Sequence, residues 1–258
     1  MLRFGILGCA RIVRRAIAGA FTQTPVAKLA AIAGRNAGTA RDWAAEFGIP
    51  KHYGSYEALI ADPDIDAVYI PLPNELHLPW VERAAAAGKH VLCEKPLALN
   101  LAEAERMRDT CLQAGVTLME AFMWRHHPRI AHACKLLADG VLGELRLVKM
   151  DFSFDIDRSD WRLDAARGGG ALFDLGCYGI NIARTFAGAE PTEITARANY
   201  FSPGVDSTLS MLLRFPRGVT ALLDCSFECP GRNRFEIVGT KSSLVFPEGV
   251  LPPPESVM

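Results

Sequence analysis

Short apolar runs alternate with helical periodicity through the first half of the chain. Phe4 to Leu7 reads as a strand, and Ile12, Val13, Ala16, Ile17, Ala20 and Phe21 then recur at helical spacing. Leu29 to Ala33 reads as a second strand, and a second helix carries Ala40, Trp43, Ala44 and Phe47, with Gly48 at its C′ position. Ser55 opens a short third helix. Ala67 to Ile70 is a buried-strand pattern, Asn74 caps a helix ending at Gly88, and His90 to Cys93 is the next strand. Asn100 and Glu103 open a helix in capping-box fashion, Gly115 closes it, and Val116 to Met119 is a further strand. Repeated β-α units of this kind predict a parallel sheet with helices on both faces.

The pattern changes after about residue 125. Pro128 suits the first turn of a helix ending near Gly140. Val148, Met150, Phe152, Phe154 and Ile156 then point one way, and Lys149, Asp151, Ser153, Asp155 and Asp157 the other. That alternation predicts a long antiparallel strand with one wet face. A helix follows Gly168-Gly169-Gly170, and Leu209 to Phe215, Val219 to Phe227 and Phe235 to Val238 alternate again, with Pro216-Arg217-Gly218 as a turn. The expected architecture is a doubly wound α/β domain over 1–122 and an α+β domain over 123–258 with an open, mostly antiparallel sheet. Pro252-Pro253-Pro254 reads as a frayed tail.

Composition narrows the partners. The formal net charge is −1 and no basic stripe is present, so neither nucleic acid nor a charged scaffold is expected. No apolar run reaches bilayer length and no signal peptide precedes the first strand, which predicts a cytoplasmic protein without membrane contact. The seven cysteines (Cys9, Cys93, Cys111, Cys134, Cys177, Cys225 and Cys229) are odd in number and lack CxxC spacing. They read as reduced thiols, and no metal site is expected.

Chemistry enters at the strand ends. Gly8-Cys9-Ala10-Arg11-Ile12 lies where the first strand turns into the first helix, the place where a dinucleotide fold receives a pyrophosphate. In the GxGxxG frame the positions are Gly8, Ala10 and Val13, so a tight structural turn also fits. After strand two, Gly34-Arg35-Asn36 replaces the acidic residue that binds the ribose of NAD. Arg35 suits a 2′-phosphate and favours NADP over NAD; alternatively it is a solvated surface arginine. Glu94-Lys95-Pro96 follows the strand ending at Cys93, with Lys95 placed to face the nicotinamide. Asp174 and Tyr178 lie four apart on one helix face. A phenol near an ammonium relays a proton readily, although taken singly an exposed lysine and a buried tyrosine are the plainer readings.

At these residues the sequence resembles the glucose-fructose oxidoreductase / inositol dehydrogenase family, Gfo/Idh/MocA. The blocks are Gly5-Ile6-Leu7-Gly8-Cys9-Ala10, Pro73-Asn74-Glu75-Leu76-His77, Gly88 through Glu94-Lys95-Pro96, and Gly169-Gly170-Ala171-Leu172-Phe173-Asp174-Leu175-Gly176-Cys177-Tyr178. Met119 to Trp124 is most similar to the NADP-dependent D-xylose and dimeric trans-dihydrodiol dehydrogenase branches. The resemblance implies a Rossmann fold and hydride transfer between NADP and a CH–OH or C=O group of a sugar, polyol or dihydrodiol. It implies Tyr178 as acid/base, Lys95 tuning it, and Asp174 orienting substrate hydroxyls or the lysine. Glu94 is then expected at the nicotinamide ribose, Leu72, Pro73, Asn74 and His77 beside the cofactor, and Cys9 to Ile12 at the pyrophosphate. Trp124, Phe154, Trp161 and Arg162 are implied to wall the substrate pocket. Core packing suits Trp124 and Phe154 equally, a satisfied helix-start histidine suits His77, and a structural carboxylate suits Asp174. Family members continue beyond this length, so the resemblance implies an incomplete second domain and a homodimer formed through its sheet. A non-catalytic NADP-binding regulator and an NAD-dependent glycoside hydrolase are the competing functions.

Overall fold

The computed structural model describes residues 1–250, and the Pro252-Pro253-Pro254 tail lies outside the described residues. The chain divides into two compact units, Met1–Ala121 and Phe122 onward.

In the first unit, β1 (Leu2–Leu7) leads into a helix, α1, over residues 11–22 whose Val13–Ile17 stretch is a π turn. There follow β2 (Ala27–Ala33), α2 (Ala37–Phe47), β3 (Lys51–Tyr53), α3 (Tyr56–Ile60), β4 (Ala67–Ile70), α4 (His77–Ala86), β5 (His90–Cys93), α5 (Leu101–Gln113) and β6 (Leu118–Glu120). The sheet order is β3-β2-β1-β4-β5-β6, with every pair parallel. The chain runs outward from β1 to β3 and returns to β4, so β1 and β4 flank a topological switch point. All four residues of β4 are buried, as expected for a strand covered on both faces.

Helix starts follow the polar residues that the sequence marks. Ser55 and Asn100 accept the backbone N–H of Ala58 and Glu103 at 3.2 and 2.9 Å, and Asn36, not read as a cap from the sequence, accepts that of Thr39 at 3.1 Å. Glu103 reaches back to the Leu99 N–H at 3.1 Å and to the Asn100 amide at 3.1 Å. Asn74 departs from expectation. It lies inside a 3₁₀ turn, Asn74–Leu76, whose N-cap is Pro73, and the N-cap of α4 is Leu76. The last strand begins at Leu118, not Val116, because the Val116 N–H closes α5 by donating to the Cys111 carbonyl at 3.0 Å.

A charge network ties the amino ends of these strands. Arg3 at the start of β1 pairs with Asp66 at 2.7 Å, and Lys51 at the start of β3 pairs with Asp62 at 2.9 Å and Asp64 at 2.8 Å. The Tyr53 hydroxyl donates to Asp62 at 2.8 Å, and the buried Lys89 ammonium donates to the Asp62 and Ile65 carbonyls, each at 2.8 Å. Burial pushes the Asp62 carboxyl up, but bonds from Lys51, the Asp64 N–H and Tyr53 outweigh it and hold it at about 2. A depressed carboxyl stabilises the fold above its unfolded value of 3.8, and that contribution disappears as pH falls toward about 2. Asp62→Asn is therefore expected to cost about 1 kcal/mol near neutrality and clearly less at about pH 2. Thermal unfolding followed by circular dichroism across that range checks it; an equal loss at both pH values contradicts it.

The second unit contains α6 (Pro128–Ala138), β7 (Leu145–Ser153), a π turn (Leu172–Gly176) running into α7 (Cys177–Ala187), and five further strands. These are β8 (Glu193–Ser202), β9 (Val205–Arg214), β10 (Thr220–Ser226), β11 (Arg232–Gly239) and β12 (Ser243–Phe246), and the sheet order is β12-β11-β7-β10-β9-β8. β7 is antiparallel to β11 but parallel to β10, which corrects the expectation of a purely antiparallel strand. A strand that forms the centre of this sheet is followed by α7, and a helical crossover permits a parallel return. Val148, Met150 and Phe152 face the core as their alternation predicts. The alternation breaks at Ser153, which is 1% exposed and donates to the Pro230 carbonyl at 2.7 Å. Helix α7 packs close to the sheet: a Cβ on Gly179 would lie 2.8 Å from Met150 Sδ, and one on Gly176 would lie 3.2 Å from Cys225 Sγ.

Among the described residues, no helix is long and apolar enough to cross a membrane, and no cluster of three histidine, cysteine or acidic side chains forms a metal site.

Candidate cofactor site and active site

The residues read as cofactor-binding follow the carboxyl ends of the first unit's strands: Gly8 after β1, Arg35 after β2, Leu72 and Pro73 after β4, Glu94 and Lys95 after β5. Open α/β sheets bind ligands at that end. Gly8 has φ +118°, and a Cβ there would lie 2.9 Å from Leu72 Cδ2. Only glycine fits, which leaves the backbone from Cys9 to Ile12 open to a phosphate at the start of α1. The lost glycines are absorbed locally, since the fully buried Val13 turns its N–H onto the Ala10 carbonyl at 2.9 Å. The half-buried Cys9 thiol lies 3.4 Å from where a Gly34 Cβ would be; burial pushes it up, against the pull of Arg14. It is therefore neutral at ordinary pH. Arg35 is exposed and close enough to the buried Tyr56 phenol to oppose the upward push of burial on it. Asn36 is exposed too, but its side-chain oxygen is committed to capping α2.

The Glu94-Lys95-Pro96-Leu97 segment is held from three directions. The Tyr69 hydroxyl donates to Glu94 Oε1 at 2.5 Å, and the Leu97 N–H donates to Glu120 Oε1 at 2.8 Å. His77 lies between, fully buried, with Nδ1 3.0 Å from the Pro96 carbonyl and 3.2 Å from the Leu97 carbonyl, and Nε2 2.8 Å from the Leu72 carbonyl. Both ring nitrogens face acceptors, so full pairing needs the imidazolium. Burial opposes that form and lowers the pKa, while the carbonyls and Glu94 pull it back. His77 thus joins the loops after β4 and β5. Asn74 is 6% exposed beside it in sequence, inside the short turn. Lys95 is half-buried and joined to Pro96 by a cis peptide.

In the second unit, Tyr178 lies one residue into α7 and is 3% exposed. Phe122 meets its ring edge-on at 5.4 Å, Phe152 tilts against it at 5.8 Å, and its hydroxyl is 3.5 Å from Met123 Sδ. Asp174 occupies the preceding π turn, not regular α-helix as the spacing suggests. Single π turns recur at functional sites. Its carboxylate pairs with Arg162 Nε at 3.1 Å, and Arg162 lies 4.7 Å from the centre of the Trp161 ring. Asp206 fixes the entry to this turn by accepting the Leu172 N–H at 2.7 Å. Phe154 packs on Phe227 at 5.3 Å, while Trp124 is 1% exposed in the core between Phe186 and Phe235.

Tyr69, Glu120, Asp160 and Asp206 escape a reading of the sequence alone. One signal exists for Tyr69: a tyrosine in a wholly buried strand needs a partner for its hydroxyl. A glycine turn that only Gly8 fits thus follows β1, an exposed arginine follows β2 and a lysine in a fixed segment follows β5. A buried phenol and an ion-paired carboxylate share one helix start. The donor set suits binding of a phosphorylated dinucleotide and proton transfer at a C–O bond.

Comparison with known proteins agrees with this fold. Residues 2–122 match the family model described as an oxidoreductase family with an NAD-binding Rossmann fold, and residues 130–245 match the GFO/IDH/MocA C-terminal domain. The chain is 42% identical over 245 residues to D-xylose 1-dehydrogenase (NADP(+)) 2 of Haloferax volcanii, covering 94% of this chain and 75% of that protein. It is 39% identical over 215 residues to trans-1,2-dihydrobenzene-1,2-diol dehydrogenase of Oryctolagus cuniculus, covering 83% of this chain and 65% of the relative. The crystal structure of a 3-ketoreductase from Actinomadura kijaniata in complex with NADP and TDP-benzene superposes with a TM-score of 0.91 at 37% identity. That match covers 98% of this chain and 78% of the other. Strand order, motif placement and identity over both halves agree: the chain belongs to the Gfo/Idh/MocA oxidoreductase family.

Proposed function

We propose that this protein is an NADP-dependent dehydrogenase or reductase acting on a CH–OH or C=O group of a sugar, polyol or dihydrodiol. The observation that carries the reading is the Lys95 segment, fixed through Tyr69, His77 and Glu120 at the carboxyl end of β5, in a chain that also keeps Tyr178 and Asp174. The Gly8 turn, where a Cβ would strike Leu72, is the cradle that fits a dinucleotide. Cys9 to Ile12 hold the pyrophosphate by backbone N–H groups, Arg35 takes the 2′-phosphate, and Glu94 the nicotinamide ribose. Bound there, NADP supplies the hydride acceptor or NADPH the donor. Tyr178 takes or returns the proton of the reacting hydroxyl, Lys95 stabilises the charge on that oxygen, and Asp174 orients neighbouring hydroxyls. Phe154 and Trp161 supply apolar walls, while Trp124 is left to the core. The named relatives act on D-xylose, a dihydrodiol and a keto sugar, which supports the substrate class.

The deciding test is absorbance at 340 nm with NADP or NADPH across aldoses, polyols, dihydrodiols and their carbonyl products. Turnover with a member of that panel is expected; none with any, in protein that binds NADPH, overturns the redox reading.

We also infer a cytoplasmic homodimer. None of the seven cysteines forms a disulfide, as suits a reducing compartment, and the outer face of the second sheet exposes Leu222 and Val245 at 45% and 56%. Light scattering is expected to give a dimer that Leu222→Glu converts to monomer; a wild-type monomer at high concentration contradicts it.

A further inference from the structure

The segment before the Gly168-Gly170 turn contains a chain of charges whose middle member serves neither cofactor nor proton transfer. Asp160 is 10% exposed at its side chain, Asp174 17%, and Arg162 sits between them. Asp160 Oδ1 accepts from the Arg162 backbone N–H at 3.1 Å and from its Nη1 at 3.2 Å. On the other side Arg162 Nε is 3.1 Å from Asp174 Oδ2, an ion pair whose N–H is not aligned on that oxygen. One face of the guanidinium is 4.7 Å from the Trp161 ring. The backbone of Arg162 is fixed as well: its carbonyl accepts the Gly170 N–H at 2.9 Å, and a Cβ on Gly169 would lie 2.3 Å from the same oxygen. Burial lowers the affinity of Arg162 for its proton, but Asp174 and Asp160 more than restore it.

We propose that Arg162 is a positioning residue: anchored by Asp160, it aims the Asp174 carboxylate, and through it sets selectivity for substrates with neighbouring hydroxyls. The inference rests on the redox reading above. It replaces the expectation that Arg162 itself is a wall against substrate. Its guanidinium is already occupied on two edges and on one face. A carboxylate accepts two vicinal O–H groups only when its plane is fixed, and a planar guanidinium fixes that plane where an ammonium cannot. Asp160 acts on the arginine and not on the substrate.

The test is steady-state kinetics on the full chain with NADP and D-xylose or the best aldose of the panel, together with NADPH affinity by fluorescence. Arg162→Lys is expected to raise the aldose KM roughly 10-fold, with kcat within about threefold and NADPH affinity unchanged. Asp160→Asn keeps a capping oxygen and removes only charge; it is expected to raise KM roughly threefold. If the two act in series, the double variant is no worse than Arg162→Lys alone. An unchanged KM in Arg162→Lys, additive effects, or a parallel fall in NADPH affinity overturns the proposal. Wild-type protein that binds NADPH but oxidises or reduces nothing in the panel overturns the redox reading, and the proposal with it.

Discussion

Tyr178→Phe is expected to lower kcat by roughly 10²–10⁴-fold while NADPH affinity stays within about twofold. The phenol ring is wedged against Phe122 and Phe152, so removing one oxygen leaves its packing intact. The hydroxyl also contacts Met123 Sδ at 3.5 Å, a weak acceptor. What disappears is the group proposed to move the substrate proton. Lys95→Ala is expected to reduce kcat over the same range, because it removes the ammonium proposed to stabilise the reacting oxygen. If both residues act on the same reacting oxygen, as proposed, the double variant is expected to fall hardly below the worse single variant. Rapid-quench or steady-state kinetics at 340 nm decides it. Single variants retaining most of the wild-type kcat contradict the assignment, and a double variant showing the product of the two losses contradicts the coupling.

Arg35→Ala is expected to raise the Kd for NADPH by roughly 10–100-fold and leave that for NADH within about twofold. Arg35 is exposed at the end of β2, directly before the residue that caps α2, so its removal breaks no packing. A guanidinium meeting a phosphate makes charge-assisted bonds that NADH, lacking the 2′-phosphate, never forms. The difference between the two cofactors is thus the measurement that isolates the arginine. High ionic strength is expected to narrow it, since an exposed ion pair is screened. Fluorescence titration of both dinucleotides at low and high salt checks it; equal loss for the two cofactors contradicts the phosphate role.

The alternating β-α pattern of the first unit was legible because its strands are buried on both faces and its helices begin at side chains that cap them. Ser55 and Asn100 show this directly. β3 has only three residues, too few for a period. β8 pairs along β9, and its Ile194, Ala196, Ala198 and Tyr200 alternate with polar residues, yet no residue of it is buried and Ile194 and Tyr200 are 62% and 63% exposed. The two π turns are invisible to a 3.6-residue period, and one of them carries Asp174. The motifs named the chemistry-bearing residues but not what holds them. Glu120 reaches Leu97 across 23 positions, and Tyr69 reaches Glu94 across 25. Such contacts follow from strand order, which no local pattern encodes.

The ion network of Arg3, Lys51, Asp62, Asp66 and Lys89 occupies the opposite end of the first sheet from Gly8, Arg35 and Lys95. The footing of the sheet and the end proposed to take the cofactor are therefore separate places. Exchanging loop residues for a new dinucleotide preference leaves the footing untouched, and substitutions at the footing shift melting without redirecting catalysis. A laboratory altering this protein can change one end while using the other as its reserve of robustness.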